Sequence, residues 1–353
     1  IGVPEFSEAE TLVAWFVNNS NLSDADKATI MNNLIMFGTA DDTAKAYFAG
    51  QIDVAATWEP YLTQAKTYTN STVVFDTKSS SSLVMDGIVF DADWAAAHED
   101  TVKKFVKGIL MSYDQPINYD AAREVFPMYS TSSDADIDAT YANAKMASWK
   151  DNYNILNDTA PMIYNQMCDI WEALGETVNR GLVDTIFDTT YIDALKGDFK
   201  STSAANATTK VTVSDETRAN ITQQVTGNLD YDSMLSKTAN VTFVPDSSVF
   251  TDQASAASVL DDFVNIAKTL DGTMIVINGN INADTQTDFG IQLSANRAQT
   301  VANYLASQGI DQNRLIITGS GNAKYQADKA AGALKPDASV YQSTDISFMR
   351  IEN

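Results

Sequence analysis

The chain is poor in the residues that most often carry chemistry. Its 353 residues include one cysteine, Cys168, and one histidine, His98. One cysteine excludes any intramolecular disulfide, and one histidine cannot by itself build a His-based metal cluster or catalytic pair. Bases are scarce too: 23 Lys and Arg stand against 46 Asp and Glu, a net charge of −23. Such a chain is repelled by nucleic acid and by anionic membrane surfaces, so neither is expected as a partner. No run of 18 apolar residues occurs, so no membrane span is expected. There is no CxxC, no HExxH, no P-loop and no signal peptide. The Gly319-Ser320-Gly321-Asn322 run lacks the spacing of a nucleophile elbow. No catalytic residue, cofactor or metal site is expected, and the chain reads as a non-enzyme.

What is present is ordinary globular material. An apolar content of 44% lets each domain bury a core. The length suggests two or three domains. The acidity is uneven, with 33 acids and 15 bases in residues 1–230 against 13 and 8 in residues 231–353. Cys168 lies in the helical pattern Met162–Leu174 and reads as a small core residue. Seven Asn-x-Ser/Thr sequons, at Asn18, Asn21, Asn70, Asn157, Asn206, Asn220 and Asn240, read as chance in an Asn/Ser/Thr-rich chain. The abrupt apolar start at Ile1-Gly2-Val3 suggests a processed or truncated product.

Element spacing divides the chain. Residues 1–93 alternate short strands and helices: strands at Ile1–Val3, Val54–Ala56 and Ser82–Val89, and helices at Ser7–Asn18, Ala25–Leu34, Thr43–Phe48 and Glu59–Ala65. This predicts an α/β layer with a largely parallel sheet. Residues 94–198 turn helical, with helices at Trp94–Asp114, Tyr119–Val125, Asp134–Lys150, Ala160–Leu174, Leu182–Phe187 and Tyr191–Leu195. Their aromatics, Trp149, Tyr153, Tyr164, Trp171 and Tyr191, recur at helical spacing and read as core. Residues 199–230 are polar and read as a linker, with an amphipathic turn near Ile221. Residues 231–353 form the second domain. Its expected elements are strand Val241–Val244, helix Ala254–Leu270, strand Met274–Ile277, helix Leu293–Gln308, strand Leu315–Thr318 and strand Asp345–Ile351.

Two stretches resemble known families. Leu293, Ser294, Arg297 and Ala298, then Gly309-Ile310-Asp311 and the strand Arg314–Thr318, resemble the OmpA-like peptidoglycan-associated domain. The resemblance implies an α+β module. It also implies a ligand, the diaminopimelate part of the peptidoglycan stem peptide, held by a loop Asp and a helix Arg. The Arg falls on Arg297. The loop Gly-His-Thr-Asp falls on Gly279-Asn280-Ile281-Asn282, so a neutral Asn282 replaces the acid. Asp284 and Asp288 lie nearby, and Asp288 is the added candidate. Either aspartate could equally pair with Arg297 as a helix-start ion pair. The basic residues that open the family's last strand are missing at Tyr341–Asp345.

Residues 44–65 resemble the solute-binding proteins of nitrate, taurine and sulfonate ABC importers, through Ala46, Ala49, Gly50, Asp53, Trp58, Glu59, Pro60 and Leu62. Ile1–Pro4 with Ser7, and Thr189–Leu195, extend this over residues 1–198. The implied fold is an incomplete periplasmic-binding-protein-like α/β module, its first lobe largely missing. Ser7, Trp58 and Glu59 are the candidate solute ligands. The helix after the first strand starts Ser7-Glu8-Ala9-Glu10, a capping-box pattern that satisfies its own donors. Two carboxylates there would cost an incoming anion about 1–4 kcal/mol at about 4 Å. A cationic or zwitterionic solute therefore fits better than taurine or nitrate.

The expectation is an exported bacterial envelope protein, in the periplasm or on the cell surface, coupling solute binding to a peptidoglycan tether. Its partners would be peptidoglycan, a small solute and an ABC permease. The alternative is a structural surface or filament subunit that self-assembles and takes no small ligand.

Overall fold

The computed structural model describes residues 1–68, 71–80, 82–142, 144–199, 213–226 and 231–351. Two compact units are present. The first holds residues 1–14, 33–73 and 82–210; the second holds 15–32, 74–81 and 211–353.

In the first unit, β1 (Gly2–Pro4) pairs in parallel with β2 (Ile35–Phe37), and Gly2 makes a further parallel bridge to Ala55. β2 was not expected, and Val54–Ala56 contributes only this bridge. Gly2 is required here: a Cβ on it would lie 2.5 Å from the Ile52 side chain. The α1 helix (Glu8–Asn19) follows β1. Ser7 caps it, since its Oγ accepts the Glu10 N–H at 3.2 Å. The Glu10 carboxylate reaches back to the Phe6 N–H at 2.7 Å, one residue earlier than a capping box would place it.

The expected broad parallel sheet is not found among the described residues. Ser82–Val89 forms no strand; Leu83 is buried while Val89 is 92% exposed. An apolar run becomes a strand only where its backbone groups pair with a partner strand. The remainder is helical. The expected Trp94–Asp114 helix is two, Ala92–Ala97 and Glu99–Ser112, broken at His98. The expected Asp134–Lys150 helix ends at Ala142, and a capping box at Ser148 opens a new one, Trp149–Asn154. Leu110, Ile192 and Leu195 form a core with Trp149 and Tyr153, and Trp149 Nε1 donates to the Ile192 carbonyl at 2.8 Å. The α2 helix (Ala160–Ala173) carries buried Cys168.

The second unit contains a four-stranded sheet. Of the expected linker, residues 200–212 and 227–230 lie outside the described residues. Residues 213–226 include α3 (Asp215–Val225), capped by Ser214. The strands are β3 (Leu235–Ala239), β4 (Thr273–Gly279), β5 (Leu315–Gly319) and β6 (Thr344–Arg350), in the order β3-β6-β4-β5. β4 runs parallel to β5 and antiparallel to β6. The α4 helix (Gln253–Thr269) precedes β4. The α5 helix (Asp288–Ser307) makes the β4–β5 crossover, and α6 (Ala323–Ala330) follows β5. The expected strand Val241–Val244 is displaced to Leu235–Ala239. Residues 241–244 instead lead into a turn closed by a Phe243–Phe250 bridge.

β4 reads as a continuous apolar run because both of its faces are covered. Met274 and Val276 pack with Ile221 and Val225 of α3. Alternation turns Ile275 and Ile277 to the other face, where α5 packs. Burying Ile221 and Val225 contributes roughly 1.5–3 kcal/mol each. Arg218 fixes the same helix by donating to the Asn313 and Leu315 carbonyls at 2.5 and 2.6 Å. The amphipathic turn expected near Ile221 is thus a full helix of the module.

Candidate functional site

The ends of β4 and β5 and the first half of α5 converge on one loop region. Ser294 of α5 is fully buried. Its Oγ donates to the Ile291 carbonyl and accepts the Gly321 N–H at 2.9 Å. The helix backbone lies against both strand ends: a Cβ on Gly279 would sit 1.9 Å from the Ser294 carbonyl oxygen, and one on Gly319 2.4 Å from the Ala295 nitrogen. The loop after β4 is laced to the turn after β5. Ile281 N–H donates to the Gly321 carbonyl, Asn322 Nδ2 to the Ala283 carbonyl, and Gln286 Nε2 to the Ser320 carbonyl. Thr287 caps α5 through the Gly290 N–H, so the helix starts five residues before the expected Leu293.

Arg297 is 5% exposed. Its Nε donates to the Ser247 carbonyl at 2.9 Å, and its guanidinium lies over the Phe243 ring at 5.0 Å. Burial pulls its pKa down and nearby Asp246 opposes this; a guanidinium stays charged at neutral pH regardless. Its two Nη groups make no hydrogen bond to a described residue, yet neither is a sealed, unpartnered atom. The side chain is otherwise fixed and buried. A planar donor pair held in this way suits a carboxylate.

Other nominated residues are placed differently. Asn282 is partly buried and makes no side-chain hydrogen bond to a described residue, Arg297 included. Asp288 does not belong with Arg297. Nine helical residues separate them, two and a half turns and about 13.5 Å of rise, so they lie on opposite helix faces. Asp284 is held by Lys329 at 3.0 Å and by Tyr325, which lower its pKa. Neither of the helix-start ion pairs with Arg297 forms. The position of the family's loop His holds Asn280, whose Nδ2 donates to Asp345 at 2.8 Å. Lys324 of α6 reaches Asp345 at 3.0 Å, bringing a positive charge to the start of β6 that the local sequence lacks.

Residues 242–337 match the model of the OmpA family. The C-terminal module has the OmpA-like fold. Three solved structures are similar to part of this chain. An outer membrane protein of Borrelia burgdorferi B31 is 17% identical, over 33% of this chain and 88% of that one, at a TM-score of 0.25. The periplasmic domain of Helicobacter pylori MotB (residues 78–256) is 16% identical, over 33% and 76%, at 0.27. The peptidoglycan-associated lipoprotein of Burkholderia pseudomallei is 21% identical, over 31% and 86%, at 0.24. No curated protein matches the chain. The family match lies in the OmpA-like module, and the resemblance of residues 1–198 to importer solute-binding proteins is not shown.

Ser7 is the cap of α1, and its Oγ also donates to the Pro4 carbonyl at 2.6 Å. Glu59 accepts the Thr63 N–H at 3.0 Å, and Trp58 is 41% exposed. None of the three lines the cavity of this unit, which is walled partly by Tyr164 and Trp171. Those two aromatics were expected in the core. Their helical spacing gives no signal that separates a core face from a cavity wall.

Proposed function

We infer that the OmpA-like module associates with peptidoglycan and makes this chain a non-catalytic protein of the bacterial envelope. The observation that carries the reading is Arg297, fixed through Nε and Phe243 while its two Nη groups make no hydrogen bond to a described residue. A stem peptide offers a carboxylate to such a fork, and Asn282 keeps a carbonyl acceptor for its ammonium. The family match over residues 242–337 supports the same reading. Among the described residues no helix is long and apolar enough to cross a membrane, and no group of His, Cys, Asp and Glu could hold a metal.

Co-sedimentation of the full chain with insoluble peptidoglycan tests this. The wild type is expected in the pellet and Arg297→Ala in the supernatant. If the wild type stays soluble while Asn282→Asp pellets, the fold is retained without the tether, and the structural-subunit alternative takes its place.

A further inference from the structure

The first unit contains a cavity of about 350 Å3 between α1, the Leu83–Asp86 segment and α2. That size accommodates a small organic molecule. Its aromatic walls are fixed in place. Trp171 stacks on Phe6 at 5.9 Å between ring centroids. Tyr164 donates its hydroxyl to the Asn179 carbonyl at 2.8 Å and meets Phe187 edge-on at 6.1 Å. Met167 and Leu12 also line the cavity. The charged residues of the lining are Glu8 and Asp86, and no Lys, Arg or His is among them. In the same helix turn, the buried Glu10 has Glu5 and Glu176 as further negative charges near it.

We propose that this cavity binds an organic ammonium ion with an apolar body. Ring faces attract a cation through their quadrupole, and the exposed carboxylates of Glu8 and Asp86 add a solvent-screened Coulombic attraction. The same groups repel an anion. The first turn of α1 carries Glu8 and Glu10, which oppose an anion at that helix start. Rings that are already positioned lose little freedom on binding.

The test is calorimetric titration of the full chain with benzyltrimethylammonium, with benzoate as a ring of opposite charge. Saturable one-to-one binding of the cation and none of benzoate is expected. The Glu8→Gln/Asp86→Asn variant, with its melting temperature checked, should bind roughly tenfold or more weakly, the loss of about 1.4 kcal/mol. Trp171→Leu should weaken binding further and abolish any change in tryptophan emission on titration. No heat up to about 10 mM cation, equal binding of benzoate, or unchanged affinity in the folded double variant would each overturn the proposal.

Discussion

Arg297 donates its Nε–H to the carbonyl of Ser247 across 2.9 Å, fifty residues away in sequence. This one bond turns a flexible side chain into a fixed fork. Arg297→Lys keeps the charge but not the planar donor pair. It is expected to lower the pelleted fraction on peptidoglycan about as strongly as Arg297→Ala. Arg297→Ala should also cost roughly 1–3 kcal/mol of stability, from the lost bond and ring contact. Urea unfolding beside the pelleting assay separates the two effects.

Asn282 sets the other half of the proposed wall site. A hydrogen bond to a charged group is worth about 1.5–3 kcal/mol and a neutral one about 1. Asn282→Asp should therefore raise affinity for peptidoglycan, by up to roughly tenfold, with a steeper loss at high salt. An unchanged affinity in the pelleting assay would remove Asn282 from the site.

The strand ends should tolerate no side chain. A Cβ at Gly279 would overlap the Ser294 carbonyl at 1.9 Å, and that carbonyl belongs to the helix backbone and cannot turn aside. Gly279→Ala is expected to cost more than about 3 kcal/mol, or to prevent folding of the module. Ser294→Ala leaves the Gly321 N–H without its partner and should cost about 1–3 kcal/mol. Circular dichroism through a urea titration reads both.

Arg314 is a structural cation. It is buried and donates to the Thr273, Ala267 and Leu270 carbonyls at 2.8, 2.9 and 2.6 Å. Burial pushes its pKa down to about 10, so it stays charged at neutral pH. Arg314→Met should leave these carbonyls short of donors and destabilise the module by roughly 3–5 kcal/mol, with an earlier urea midpoint.

Glu10 provides a pH test. Burial first, then Glu5 and Glu176, raise its carboxyl above the usual glutamate value, against the pull of the Phe6 N–H. A raised acid pKa means the folded state holds the proton more tightly. Stability from this group is therefore greatest below the ordinary value and falls as pH rises through the folded one. Glu10→Gln keeps an acceptor for Phe6 and removes the charge. Its melting temperature should exceed that of the wild type at pH 7, and the difference should close in acid.

The OmpA-like module was largely legible. Met274–Ile277, Leu315–Thr318 and Asp345–Ile351 were foreseen as strands within about two residues, because each is an apolar run or alternation bounded by turn residues. Leu235–Ala239 was missed: Ser236, Lys237 and Thr238 have no strand-like pattern, and their backbone pairs with β6 only once the fold exists. Asp288 and Arg297 fall on opposite faces of α5, a relation that nearness in sequence does not show until the helix start is known. In the first unit, Ser82–Val89 looked like a strand on composition alone.

The sequence by itself determined the charge, the absence of catalytic motifs and the OmpA-like pattern, since these follow from residue identity and local spacing. Tertiary structure decided that Arg297 is held by Ser247 and Phe243, that α3 belongs to the module, and that Tyr164 and Trp171 wall a cavity. Each of those depends on groups far apart in the chain being brought within a few ångströms, a relation that no local spacing encodes.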